Sequence, residues 1–151
     1  MVWQADVFKK AKGLQLGSTR KLQGGYHFTL YKVTPGEAVK FGPLGYAAAA
    51  IQSYGDFKWA RSDGKIPAGT RFQVSLPTPI AVVMTFTDPQ SIQQVWPIYE
   101  EHLNEEVAEI AVAIHDGPSF SSQSTSLIER PSANEQTFKP VLKWIVGIAA
   151  V

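Results

Sequence analysis

Apolar residues recur at helical spacing in three stretches of the chain and alternate with polar ones in two others. Trp3, Val7, Phe8 and Ala11 fall on one side of a helix over residues 3–12, which Gly13 and Gly17 end. Residues 13–25 show no period and read as loop. Tyr26–Val33 is rich in β-formers and sets Tyr26, Phe28 and Leu30 opposite His27, Thr29 and Tyr31, which predicts a strand or an extended arm before the turn at Thr34, Pro35 and Gly36. The spacing of Tyr46, Ala49, Ala50, Ser53, Tyr54 and Phe57 predicts a helix over 45–62, whose small alanines permit close packing.

Gly64 and the turn Pro67-Ala68-Gly69 stop that helix, and Phe72, Val74 and Leu76 then alternate with Arg71, Gln73 and Ser75 before the break at Pro77-Thr78-Pro79. A second long helix is expected to start with Asp88 as N-cap and Pro89 at its first position. Its apolar stripe is Ile92, Val95, Trp96, Tyr99, Leu103, Val107, Ile110 and Ile114; Glu100, Glu101, Glu105, Glu106 and Glu109 occupy the opposite face. Pro97 removes an amide donor, so either a kink or a fresh helix start is expected there. After Ile114 the pattern fails. Residues 115–137 read as a Ser-rich linker and residues 138–151 as an apolar terminal segment, in which Val141–Val151 is about half the length needed to span a bilayer.

Helix, tight connection and strand in succession over Leu44–Phe86 are the repeating unit of an α/β barrel. The expected fold is α/β: a partial TIM-type (β/α) barrel of about two βα units over residues 1–114, with an irregular C-terminal tail.

Composition narrows the setting. A chain of 151 residues, 44% hydrophobic and of net charge +1, suits one globular domain. It contains no cysteine, which removes thiolate nucleophiles, disulfides and Cys-based zinc sites. Residues 1–75 hold 11 Lys and Arg against 4 Asp and Glu, residues 76–151 hold 3 against 9, and the two halves are expected to attract each other. Lys9, Lys10, Lys12, Arg20 and Lys21 lack the aromatic interleaving of a nucleic-acid patch and read as a solvated face. The start, MVWQADVFKK, has no apolar core of a secretion signal, so the expected setting is cytoplasmic, without membrane or nucleic-acid partners.

Candidate chemistry is sparse. Neither a G-x-S-x-G elbow nor a phosphate-binding glycine motif occurs, and no catalytic residue stands out. His27, His102 and His115 with Glu101, Glu105, Glu106 and Asp116 are the available metal-ligand types; His102 and Glu106 share a helical face, a spacing that mostly marks a solvated pair. The strand end Gln73, Ser75 and Thr78 is the substrate-binding candidate, because α/β barrels gather strand C-termini around a pocket that takes a small molecule.

The blocks WQADVFKKA, LGYAAAAIQSYGDF, GKIPAGTRFQVSLPTPIAVV and DPQSIQQVWPIYEEHLNEEVAEIAVAI, in this order and spacing, resemble the early part of barrel proteins related to cobalamin-independent methionine synthase and uroporphyrinogen decarboxylase, over residues 3–114. The resemblance implies a pocket at strand C-termini and, for full-length methionine synthases, a zinc that activates a thiol for methyl transfer from a methyl-folate. Their zinc ligands are His, Cys and Glu, a set that a cysteine-free chain does not supply, so neither zinc nor any other cofactor is expected here. The resemblance therefore implies a truncated or degenerate relative of a methyltransferase family, not catalytic alone. The alternatives are a non-enzymatic accessory or binding protein and a relative of a metal-independent decarboxylase. The loss of pattern after Ile114 resembles a frameshift or splice junction, and unpaired strand edges of an incomplete barrel would favour self-association or pairing with another chain.

Overall fold

The computed structural model describes residues 2–21, 24–25 and 27–114. Helix α1, Val2–Lys10, ends on Lys9 and Lys10, whose charges suit the negative end of the helix dipole. Its Phe8 is fully buried, and Ala11 follows it inward. Gly13 then turns the chain at φ 73, where a Cβ would collide with the Ala38 carbonyl oxygen. Only glycine permits that approach. Lys12 and Lys40 exchange amide hydrogen bonds of 2.9 and 3.0 Å across it.

Two strands follow, β1 (Leu14–Lys21) and β2 (His27–Val33), paired antiparallel with Leu14 opposite Val33 and Lys21 opposite His27. β1 corrects the expectation of a loop over 13–25. Its side chains are mostly exposed and its register is irregular between Leu16 and Thr19, so the pairing needs none of the apolar alternation that would have announced it. β2 agrees with the predicted strand. Its other side is covered by the segment before the last helix: the Asp88 amide donates to the Tyr31 carbonyl at 2.9 Å, Tyr31 bridges Thr87 in parallel, and the Val33 amide donates to Ser91 Oγ at 3.1 Å.

Helix α2, Tyr46–Ser62, lies where the spacing predicts it. Its buried face is Tyr46, Ala47, Ala50, Tyr54 and Phe57; Ala49 and Ser53, which the spacing places on that face, are exposed. Gly64, at φ 73, closes the helix with a Schellman motif in which its amide donates to Arg61 O and that of Lys65 to Ala60 O. Residues 71–76 are extended but form no continuous strand among the described residues, and Ser75 makes a single β-bridge. They join neither strand of the sheet; Val74 is buried, and Phe72 and Leu76 pack beside it on Ala47, Ala50 and Ile110. The alternation records burial against α2, with Phe72 held 5.3 Å from the Tyr54 ring and 5.2 Å from that of Phe57.

Helix α3, Pro79–Phe86, occupies a stretch for which the sequence pattern specifies no element, and it buries Val82, Val83 and Phe86. A 3-10 turn, Pro89–Ser91, with Asp88 at its N-cap position, leads into α4, Ile92–Ala113, which runs through Pro97 as one helix. The main core centres on Phe8, whose ring meets those of Tyr31, Phe41, Phe86 and Tyr99 at centroid distances of 5.2–6.3 Å. A smaller cluster of Ala47, Ala50, Val74 and Ile110 joins α2 to the far half of α4. The described residues thus form a mixed α/β unit of four α-helices and one two-stranded antiparallel sheet. No described helix is long and apolar enough to cross a membrane. The expected linker at 115–137 and apolar segment at 138–151 lie outside the described residues.

Candidate functional site

The residues before α2, Pro43-Leu44-Gly45, offer no side chain that could cap the helix, and Gly45 sits at the N-cap position with φ 92. The cap comes from α4. Glu106 Oε1 accepts from the amides of Leu44 (2.5 Å) and Gly45 (2.9 Å), and Oε2 from those of Tyr46 (2.6 Å) and Ala47 (3.0 Å). Four otherwise orphaned donors and the positive end of the α2 dipole therefore converge on one buried carboxylate, which offsets the cost of removing its charge from water. This corrects the assignment of Glu106 to the solvated face of α4.

Around this cap the chain builds a polar and aromatic corner. Trp3 Nε1 donates to the Leu44 carbonyl at 3.0 Å, and its ring meets that of Tyr46 edge-on at 5.2 Å. The hydroxyls of Tyr46 and Tyr99 are 3.0 Å apart. Burial pushes the Tyr99 phenol far above its ordinary range, helped by that hydrogen bond and by the negative charge of Glu106. Tyr99 is consequently a neutral hydrogen-bonding group throughout the ordinary pH range.

An open groove of about 250 Å³ runs from this corner along α2 to the extended segment 72–76. The rings of Trp3, Tyr46 and Phe72 supply its aromatic surface; Ser53, Gln73 and Ser75 supply neutral hydrogen-bonding groups. Ala49 and Ser53, expected on the core side of α2, line this groove instead. Of the predicted substrate-binding set, Gln73 and Ser75 are brought together here and Thr78 is not. Thr78 is exposed at the N-cap position of α3, where its carbonyl receives the amides of Ala81 and Val82 at 3.1 and 3.4 Å. Trp3 and Tyr46 have the sequence signature of helix-face residues, and nothing local to them signals a pocket.

Among the described residues the metal-ligand types do not assemble. His27 is exposed on β2, His102 Nδ1 donates to the Ile98 carbonyl at 3.0 Å, and Glu106 is committed to its four amides. His115 and Asp116 lie outside the described residues. Among the described residues no three His, Asp or Glu side chains come together. Nor do Lys9, Lys10, Lys12 and Lys21 form ion pairs with the α4 carboxylates; the attraction expected between the halves is not expressed as contacts among the described residues. Comparison with protein-family models, with curated proteins and with solved structures finds no match.

Proposed function

We propose that this chain is a partial (β/α)-barrel relative of the methionine synthase and uroporphyrinogen decarboxylase group that binds a small molecule and performs no methyl transfer alone. The observation that carries the reading is the groove itself: three rings and three neutral polar side chains converge beside α2, with no ionisable acid or base in the lining other than the Tyr46 phenol, which faces Tyr99. Such a lining can stack on a ligand and orient it by hydrogen bonds. It holds no group suited to proton transfer near neutral pH. The parallel bridge between Tyr31 and Thr87, at the end of a helix that follows an extended segment, supports the barrel ancestry.

The test is amide-resolved NMR of the full chain titrated with a panel of neutral heterocyclic amides. Shifts confined to the Trp3 indole, the Gln73 side-chain amide and Ser75, and weakened by Gln73→Ala, support the reading. Shifts scattered over the molecule, or none at any concentration, sink the binding role. Turnover of a methyl-folate and a thiol by the full chain with added zinc would sink the non-catalytic part.

A further inference from the structure

The far end of α2 carries a feature that the groove does not use. Trp59 is 62% exposed, a large apolar ring left in water, with Lys65 Nζ 4.2 Å above it. Residues 58–71 hold four Lys and Arg against one Asp, and Lys58, Lys65 and Arg71 are exposed. Lys65 also meets Asp63 at 2.7 Å, so its ammonium is held beside the indole. Elsewhere, the outer face of α4 forms a shallow depression that joins the apolar side chains of Pro97 and Ala108 to the carboxylates of Glu100, Glu101 and Glu105, with Asn104 between them. None of these carboxylates has an ion-pair partner among the described residues.

We infer that these two surfaces fit each other in different copies of the chain: the Trp59 end of one molecule docks in the acidic depression on α4 of a second. An indole with a cation above it needs an apolar surface bordered by anions, and the depression offers both: Pro97 and Ala108 for the ring, and the three carboxylates for Lys65 and for Lys58, whose ammonium lies 4.7 Å from the Tyr54 ring one turn back along α2. Like surfaces would repel, with cation set on cation and carboxylate on carboxylate. The contact is therefore heterologous, one end of a molecule on the flank of the next, and it can continue from copy to copy.

The test is sedimentation of the full chain over a range of concentrations, at about 10 mM salt, where the Debye length is about 30 Å, and at about 1 M, where it is about 3 Å. The expected result is a mass that grows with concentration at low salt and returns to that of a single chain at high salt. Lys58→Glu with Lys65→Glu in one variant, and Glu100→Lys, Glu101→Lys and Glu105→Lys in another, are each expected to stay monomeric at low salt. Mixed in equal amounts they should associate again, because the basic end of one fits the acidic depression of the other, and the reversed end of the second fits the reversed depression of the first. Circular dichroism of each variant checks that it folds, and Trp59→Ala should weaken association at least tenfold without altering either charge set. A monomer at low salt, association that survives both reversals and so belongs to another surface such as the outer edge of β1, or a mixture that fails to pair would each overturn the inference.

Discussion

One carboxylate, Glu106, takes hydrogen bonds from four successive amides and ties the start of α2 to the middle of α4. Glu106→Ala leaves those donors without an acceptor in a buried place, and the expected loss is about 3–5 kcal/mol in urea unfolding of the full chain. Glu106→Gln keeps one oxygen but turns an N–H₂ towards amide donors, and should lose a large part of the same stability. A variant as stable as the parent would show that water caps α2 equally well. The sequence does hold a trace of this role: Tyr99, Leu103, Glu106 and Ile110 follow one another at spacings of four, three and four, and the segment before α2 contains no capping side chain. Counting every glutamate as polar, and therefore outward, hides it. Tyr99 makes a second prediction at this scale. Its folded-state phenol titrates above the unfolded value of 10.0, so its contribution to stability is complete below pH 10 and is lost as the pH rises further, by up to about 1.4 kcal/mol per pH unit. Tyr31, raised by burial and by Asp6, acts in the same direction. Urea midpoints measured from pH 8 to about pH 11 should therefore fall, and fall less steeply in Tyr99→Phe; an unchanged slope in that variant would remove Tyr99 from the account.

Elements whose signals are local are readable in the sequence, and those whose signals depend on a partner are not. α2 and α4 lie within a few residues of their predicted bounds because a 3.6-residue period, a terminating glycine and the Asp88-Pro89 start all sit inside the segment. β1 leaves no such signal, since an exposed edge strand needs only backbone pairing with β2. The alternation over 71–76 describes which side chains are buried, and among the described residues the segment shows only a single β-bridge, at Ser75. Pro97 is expected either to kink α4 or to start it afresh, and the helix continues through it without a new start. The ring is exposed, and its missing N–H leaves the Gln93 carbonyl without the usual i→i−4 partner. Pro97→Ala should therefore stabilise the chain by about 1–2 kcal/mol, reduced by the extra freedom that the unfolded chain gains when proline is removed. A thermal midpoint lowered by the substitution would mean that the ring, and not the helix, is what this position contributes.

At the scale of the molecule, the two apolar clusters differ in how many elements they join. Around Phe8 the core draws on α1, β2, α3, α4 and the segment from Val39 to Tyr46, with rings packed on rings. The cluster around Val74 holds only α2, the extended segment 72–76 and the end of α4, and beyond Ala50 the far half of α2 rests on Phe72 through Tyr54 and Phe57. Local opening should follow this division, because the free energy of opening a segment tracks the apolar contact it must break. Hydrogen exchange of the full chain is expected to protect the amides of β2, α3 and the first half of α4 most, and those of Tyr54–Ser62 at least tenfold less. The groove lies on this softer side, so a ligand that stacks on Phe72 and bonds Gln73 should slow exchange in the second half of α2 more than in α3. Uniform protection across both clusters would show that the Glu106 cap makes the two behave as one cooperative unit, and the groove would then be a rigid site instead of one that closes on what it binds.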